Sequence, residues 1–322
     1  MVPIDYRGIE PGTRVELSSE DLNVIEDFLM QNHPVHTVQL VVHEPYVYSE
    51  SIDNLGALLG PMSALRNLEN ADSNVYYHAL VDVIGPSINS VAGIANIASA
   101  ALTSADRRVA ATVWWDRGKS AGTLVHELGH NQGLSHVYCP VAGSTAAGAD
   151  TRYPNDTGKI TVWGFGIRDY RVYSPAISHD YMTYCGNAWA SDWTWNKTYE
   201  RITTLSGWDD QDRQAAHNAL SPLLRGAVYG DGSSEWWTVD GAIDPDTLSA
   251  NHRVRVVVDG ETIESMASVE ATSHPSLYWL TVSLPRGFRQ ISDISRWSLG
   301  ERHDVDLATL HLAHRQIDLA SL

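Results

Sequence analysis

The sequence predicts an α+β protein in two parts, and three observations lead there. Over roughly the first 130 residues, apolar residues recur with helical spacing in some segments and alternate in others. From 137 to about 191 the texture becomes irregular, dominated by Gly, Pro, Asn, Asp and Tyr. After Gly207 only strand-like runs remain. The expected division is a first domain over 1–207, with an upper part to about 133 and a lower part over 134–207. An all-β, β-sandwich-like module over 208–322 follows it.

The elements follow in order. SSEDLNVIEDFLMQN (18–32) reads as a helix, with Ser19 as its cap, acids in the first turn and apolar residues at helical spacing. HTVQLVVHEPYVYS (36–49) alternates and is rich in β-branched residues, so it reads as a strand. NLGALLGPMSALRNLEN (54–70) predicts a second helix, kinked or interrupted at Gly60-Pro61. NVYYHALVDVI (74–84) and RRVAATVWWD (107–116) are strands, and the small-residue segment between them has no assigned form. SAGTLVHELGHN (120–131) predicts a helix starting near Ser120 or Thr123. In the irregular stretch only KITVWGFGI (159–167) reads as a strand, and such a long loop inside a compact unit points to function. SDWTWNKTYERITTLSGW (191–208) is a helix capped by Ser191 or Asp192. Beyond it, two strand runs flank the hairpin signal Asp259-Gly260, and SLYWLTVSLP and DVDLATLHLAH add more strands.

Formal net charge is −17, from 39 acidic against 22 basic residues. That argues against a nucleic-acid partner or an anionic membrane surface, because both are polyanions. No run of about 18 apolar residues exists, so no membrane span is expected. Two cysteines, Cys139 and Cys185, are too few for a disulfide scaffold. The first residues, MVPIDYRGIEPG, lack the basic-then-apolar pattern of a secretion signal.

The chemistry concentrates in HELGHNQGLSH, residues 126–136. Residues four apart share a helix face, so His126 and His130 project side by side. Two imidazoles one turn apart can both reach a metal at the ~2.0–2.1 Å Zn–N distance. Glu127 is off that face and suits a general base acting on a water beside the metal. Gly133 can take φ > 0, ending the helix and turning the chain back so that His136 approaches as a third ligand. Three neutral imidazoles leave one position open, as a catalytic zinc site requires. With 14 His and 24 Gly in the chain, chance produces all five positions with a probability on the order of 10⁻⁴. The pattern is therefore read as a site.

HExxHxxGxxH resembles the signature of the metzincin zinc endopeptidases, which also carry a methionine in a tight turn below the metal. SHDYMTYCGNAW supplies the matching candidate, Met182. The resemblance covers roughly residues 36–207, and HVYCP and DYMTYC look most like secreted bacterial members, some of which act on heavily glycosylated proteins. It implies a twisted mixed sheet with helices above a cleft, an irregular lower subdomain, and one Zn2+ held by His126, His130 and His136. Glu127 would be the general base. Tyr184 matches the position where astacin-like and serralysin-like members carry a zinc-proximal tyrosine, and would be a second catalytic group. Asp180 would either orient the turn or a ligand through hydrogen bonds or be a solvated turn aspartate, Asn131 would help end the helix, and Trp189, Trp193 and Trp195 would either line a subsite or belong to the core. Val137 stands where the snake-venom-like branch has an aspartate, and no propeptide cysteine motif supports a cysteine switch.

Cys139 and Cys185 flank elements that must meet under the metal, so a disulfide between them is expected. It would place the protein in an oxidising compartment, as a secreted or extracellular protein whose signal has been removed. The acidic loops contain no D-x-D-x-D-G pattern, so nothing assigns calcium. The expected function is a zinc-dependent endopeptidase acting on protein or glycoprotein substrates. Two alternatives stand beside it: a protease restricted to O-glycosylated mucin-like proteins, and a catalytically silent metzincin-fold binding or adhesion protein.

Overall fold

A computed structural model describes residues 1–72, 74–140, 148–207 and 220–312 of the chain. Six strands form the upper sheet: β1 (Val2–Tyr6), β2 (Thr13–Arg14), β3 (Tyr46–Tyr48), β4 (Tyr77–Val81), β5 (Gly93–Ala95) and β6 (Val109–Val113). Their order is β2-β1-β4-β6-β5, with β3 beside β1. β1, β4 and β6 run parallel, and β5 is an antiparallel edge. Central parallel strands are covered on both faces, which is why β4 and β6 are almost wholly buried.

Helices α1 (Ser19–Asn32) and α3 (Arg117–Asn131) cover one face, where Leu80 meets Ile25, Leu29, Leu124 and Val125. Helix α2 (Leu59–Leu68) covers the other, where Val81, Val109 and Val113 share a core with Leu58, Leu59 and Met62. The cap of α1 is Ser18, one residue before the expected Ser19. Its side chain accepts from the Asp21 amide while Asp21 reaches back to the Ser18 amide, a reciprocal box that Ser19 is not spaced to make. A 3-10 turn over Leu55–Leu58 leads into α2, so Pro61 falls in the first helical turn, where its missing N–H costs little.

Two strand expectations shrink. Of 36–49 only β3 joins a ladder; the preceding residues instead hold the chain start, Val41 O accepting from the Met1 amine and Met1 O from the His43 amide. The parallel register that sets Ile4 opposite Tyr46 carries residues 36–43 beyond the Val2 end of β1, so they have no strand beside them. Of 159–167 only β7 (Gly164–Phe165) is a strand, pairing with β8 (Val172–Tyr173). The lower part adds β9 (His179–Asp180) beside β10 (Ala188–Trp189), then α4 (Asp192–Ser206) with Ser191 as its cap.

The second part contributes β11 (Ser221–Tyr229), β12 (Ser234–Gly241), β13 (Leu248–Val258), β14 (Glu261–Ala271), β15 (Leu277–Ser283), β16 (Ile291–Ser298), β17 (Glu301–Asp304) and β18 (Leu310–His311). The expected Asp259-Gly260 turn joins β13 to β14, with both residues at positive φ. The strands form a single eight-stranded sheet, order β17-β16-β13-β14-β15-β11-β12-β18, curved into a half-barrel. Alternation along a strand reports which of its two faces is buried. It does not tell a curved sheet from the two sheets of a sandwich. The boundary expected at 208, the Trp208 end of the last helix and the final residues of the DVDLATLHLAH run lie outside the described residues.

One face of this sheet closes over Leu224, Trp236, Val256, Leu280 and Ile294. The other faces α2 and the upper sheet: Leu223, Ala227, Trp237, Val239, Leu277 and Trp279 belong to the same buried cluster as Val2, Leu58 and Val109. The approach is close, since a Cβ on Gly60 would lie 2.1 Å from the Trp237 ring. Two buried ion pairs cross the same junction, Arg225 to Asp106 and Arg107 to Glu270.

Removing one partner of a buried pair strands the other charge and costs about 3–5 kcal/mol. Asp106→Ala is therefore expected to lower the unfolding free energy by about that much in urea denaturation. Replacing Asp106 and Arg225 together by Leu and Met should recover most of the loss, because no lone charge remains.

Candidate metal centre

The centre is assembled from three segments, and the first is α3. Asp116 caps it by accepting from the Lys119 amide, so the helix starts before the expected Ser120 or Thr123. Ser120 instead ties the helix to the end of β6. It is wholly buried, donates to Val113 O and accepts from the Trp115 amide. Ala121, Leu124 and Val125 face the core shared with α1, which turns His126 and His130 toward the lower part. Asn131 does not serve as a cap. Its amide donates to Asn96 O and Val109 O, both at 2.9 Å, and so fixes the helix end to β5 and β6.

Gly133 makes the turn. Its φ is +86°, its amide donates to His130 O, and the Leu134 amide donates to Gly129 O. This left-handed step is the one glycine takes at no steric cost. It returns the chain so that His136 Nε2 lies 3.2 Å from His130 Nε2, while His126 Nε2 lies 3.1 Å from His130 Nε2.

The third segment is the tight turn over 180–185. Asp180 is fully buried and accepts from the Met182 amide (2.8 Å), the Ser191 amide (3.1 Å) and the Thr194 hydroxyl (2.6 Å). Burial pushes its carboxyl above the usual range, and these donors oppose the shift. The expected positioning role is thus met by a hub joining the turn to α4. Met182 is fully buried, and a Cβ on Gly129 would lie 2.5 Å from its sulfur, so the thioether packs under the helix between the two ligand histidines. Val137 donates to Met182 O, and Cys139 is bonded to Cys185 with their Cα atoms 5.9 Å apart.

The protonation of the rings follows from their partners. His126 Nδ1 lies 2.8 Å from Tyr181 O, and His130 Nδ1 lies 2.8 Å from Leu134 O. A carbonyl only accepts, so both Nδ1 atoms carry the proton and both Nε2 atoms present lone pairs. Burial first, then His136, lowers His126 to about 4, and burial with the other two rings holds His130 well below its usual value. The Nε2 lone pairs of His126 and His130, 3.1 Å apart, repel each other unless a cation lies between them. The three ligand atoms lie within 4.8 Å of one another, and the donor set suits a divalent metal with an affinity for imidazole.

Glu127 is buried beside this cluster. Burial pushes its carboxyl up to about 8, and a hydrogen bond from the Ser273 hydroxyl to Oε2 (3.2 Å) opposes the shift. Tyr184 is just over half exposed, with its ring centroid 4.9 Å from that of His136 and 6.0 Å from that of His126. Burial and then the charge of Glu127 push its hydroxyl up to about 12, so it stays a donor at neutral pH.

Of the tryptophans, Trp189 is buried and stacks on Tyr173 at 3.9 Å, Trp193 is partly buried against Tyr153, and Trp195 is the most exposed. His78 is a buried partner of Thr112, His43 pairs with Glu69, and His179 Nδ1 lies 2.8 Å from Gly186 O. No sequence signal singles out Ser273: it lies 146 positions from Glu127, in a stretch that reads only as a turn. Gly93, whose hypothetical Cβ would come within 2.7 Å of Glu127 Oε1, is equally inconspicuous inside its small-residue run.

In comparison with known proteins, no family and no curated protein matches the chain.

Two outcomes follow from the geometry. The protein should take up one equivalent of a divalent metal such as Zn2+ or Co2+, and His130→Ala should lose at least ten-fold in affinity, measured by equilibrium titration. Opening the Cys139–Cys185 link by Cys→Ala at both positions should cost up to about 4 kcal/mol of stability, because it frees a 46-residue loop in the unfolded chain.

Proposed function

We propose that this protein is a zinc-dependent endopeptidase of metzincin type. The observation that carries the reading is the convergence of three imidazole ligand atoms, those of His126 and His130 on neutral rings with Nε2 lone pairs facing each other, beside the buried Glu127. The HExxHxxGxxH pattern and Met182 packed beneath Gly129 support the same reading, as does a mixed sheet with helices above an irregular lower part. His126, His130 and His136 would hold the ion, and the sulfur of Met182 would form the floor beneath them. Zinc, when bound, supplies a Lewis acid that acidifies water and polarises a carbonyl.

The remaining steps belong to the chain. Glu127 takes a proton from the attacking water as its oxygen bonds to the scissile carbonyl carbon, then delivers that proton to the amine as the C–N bond breaks. A carboxyl that burial holds near neutral range suits both transfers. Tyr184, neutral and over the histidines, donates to the carbonyl oxygen as it gains charge. The disulfide supports a working place outside the reducing cytoplasm. No helix among the described residues is long and apolar enough to cross a membrane.

The test is mass spectrometry of a peptide library incubated with the zinc-loaded protein. Cuts should appear with the wild type and disappear with Glu127→Ala while zinc stays bound; a folded, zinc-loaded protein making no cuts in peptides or glycoproteins would sink the reading. Tyr184→Phe should lower kcat about 10²-fold with little change in KM, since its donation matters only once the oxygen carries charge. Digesting one glycoprotein before and after removal of its O-glycans tells a general endopeptidase from a mucin-restricted one.

A further inference from the structure

Glu127 is held by a residue that does not belong to the upper sheet, α3 or the lower part. Strand β14 leaves its own sheet at Ala271, and the next residues run along the outer edge of β5, with Thr272 bridged to Asn96. The Ser273 amide donates to Ala95 O at 3.0 Å, and the Ala95 amide donates to Ser273 Oγ at 3.0 Å. That amide uses one lone pair of the hydroxyl, so the hydroxyl's single proton is free for Glu127 Oε2 at 3.2 Å. Trp279, on β15, fastens the same junction by donating to Asn96 Oδ1 at 2.7 Å.

The other side of the carboxylate is walled by Gly93, where any side chain would overlap Glu127 Cγ and Oε1. A glutamate has three side-chain torsions to be fixed, and the hydrogen bond that holds this one comes from outside α3. Ser273 and Gly93 confine it between chain segments of different sheets.

We propose that Ser273 is the positioning residue of the catalytic glutamate, supplied to the active site by the C-terminal β-module. The inference rests on the peptidase reading above. On it, the module is part of the catalytic machinery, and its ladder with Ala95 also fixes one end of the β5 edge. The bond from the Ser273 amide to Ala95 O survives any side-chain change, while Ser273→Ala removes both the donor to Glu127 and the acceptor of the Ala95 amide, so the coupling to Glu127 is read separately by a double-mutant cycle.

The experiment compares Ser273→Ala and Ser273→Thr in the full zinc-loaded chain. Ser273→Ala should lower kcat 10- to 100-fold and leave KM within about 2-fold, because a displaced base slows chemistry more than binding. Ser273→Thr keeps the hydroxyl and should restore most of kcat. A second readout needs no activity: a double-mutant cycle of Ser273→Ala with Glu127→Ala, each of which removes the bond, read by urea denaturation, should give non-additive changes. An unchanged kcat in Ser273→Ala, or strictly additive stability changes, overturns the proposal. If the wild type cuts nothing, the peptidase reading fails by itself. The cycle then decides alone whether Ser273 holds Glu127: coupling supports the hold, and additivity removes it.

Discussion

The facing Nε2 lone pairs of His126 and His130, with His136 Nε2 3.2 Å from His130 Nε2, are the constraint around which the molecule is arranged. Without a cation the arrangement is repulsive, so it must be imposed from outside the rings. The means are backbone carbonyls. Leu134 O, after the Gly133 turn, takes the Nδ1 proton of His130, and Tyr181 O, in the 180–185 turn, takes that of His126. Each bond fixes a tautomer and a ring orientation together, which raises the basicity of the nitrogen left facing the site. The two carbonyls come from segments 47 residues apart in sequence, 134 and 181. The irregular lower part must therefore be held rigidly against α3.

Several bonds provide that rigidity, and few belong to regular structure. Asp180 gathers three donors, Val137 reaches Met182, and the Cys139–Cys185 link clamps the same two strips of chain. A buried carboxylate with three donors loses much of its desolvation penalty, whereas one left alone would shift its pKa and become neutral. The disulfide acts in the unfolded state, where it removes loop freedom. A long loop becomes a dependable support for the histidines in this way, aided by Val137, Tyr153, Tyr181 and Met182, which share a buried cluster with α1 and α3.

What is legible in the sequence divides along the range of the interactions. Helical spacing puts His126 and His130 on one face, the turn-forming glycine brings in His136, and Met182 and the cysteines are found by their distance from that motif. These are local signals, or signals tied to a local one. Strand β1 escapes notice because five residues with an internal proline carry little pattern, although it lies buried in the sheet. β5 escapes because GIA inside a run of small residues has neither alternation nor bulk. Asn131 reads as a cap by position, and only the fold brings it to the carbonyls of Asn96 and Val109. The expected sandwich is instead one curved sheet for a similar reason, since pairing partners are not written in alternation.

The junction between the two parts shows the longest reach of such interactions. In composition, 208–322 reads as an appended module. In the structure, Trp237, Leu277 and Trp279 complete a core that begins at Val2, and Arg225 neutralises an aspartate of the first part. Burying each of the aliphatic side chains there contributes about 1.5–3 kcal/mol, so each part stabilises the other. Such a junction has few degrees of freedom. Because the large docked face fixes β14 and β15, the short stretch between them can place a single hydroxyl within 3.2 Å of Glu127. Placement of the hydroxyl beside Glu127 is thus a consequence of apolar burial some distance from it.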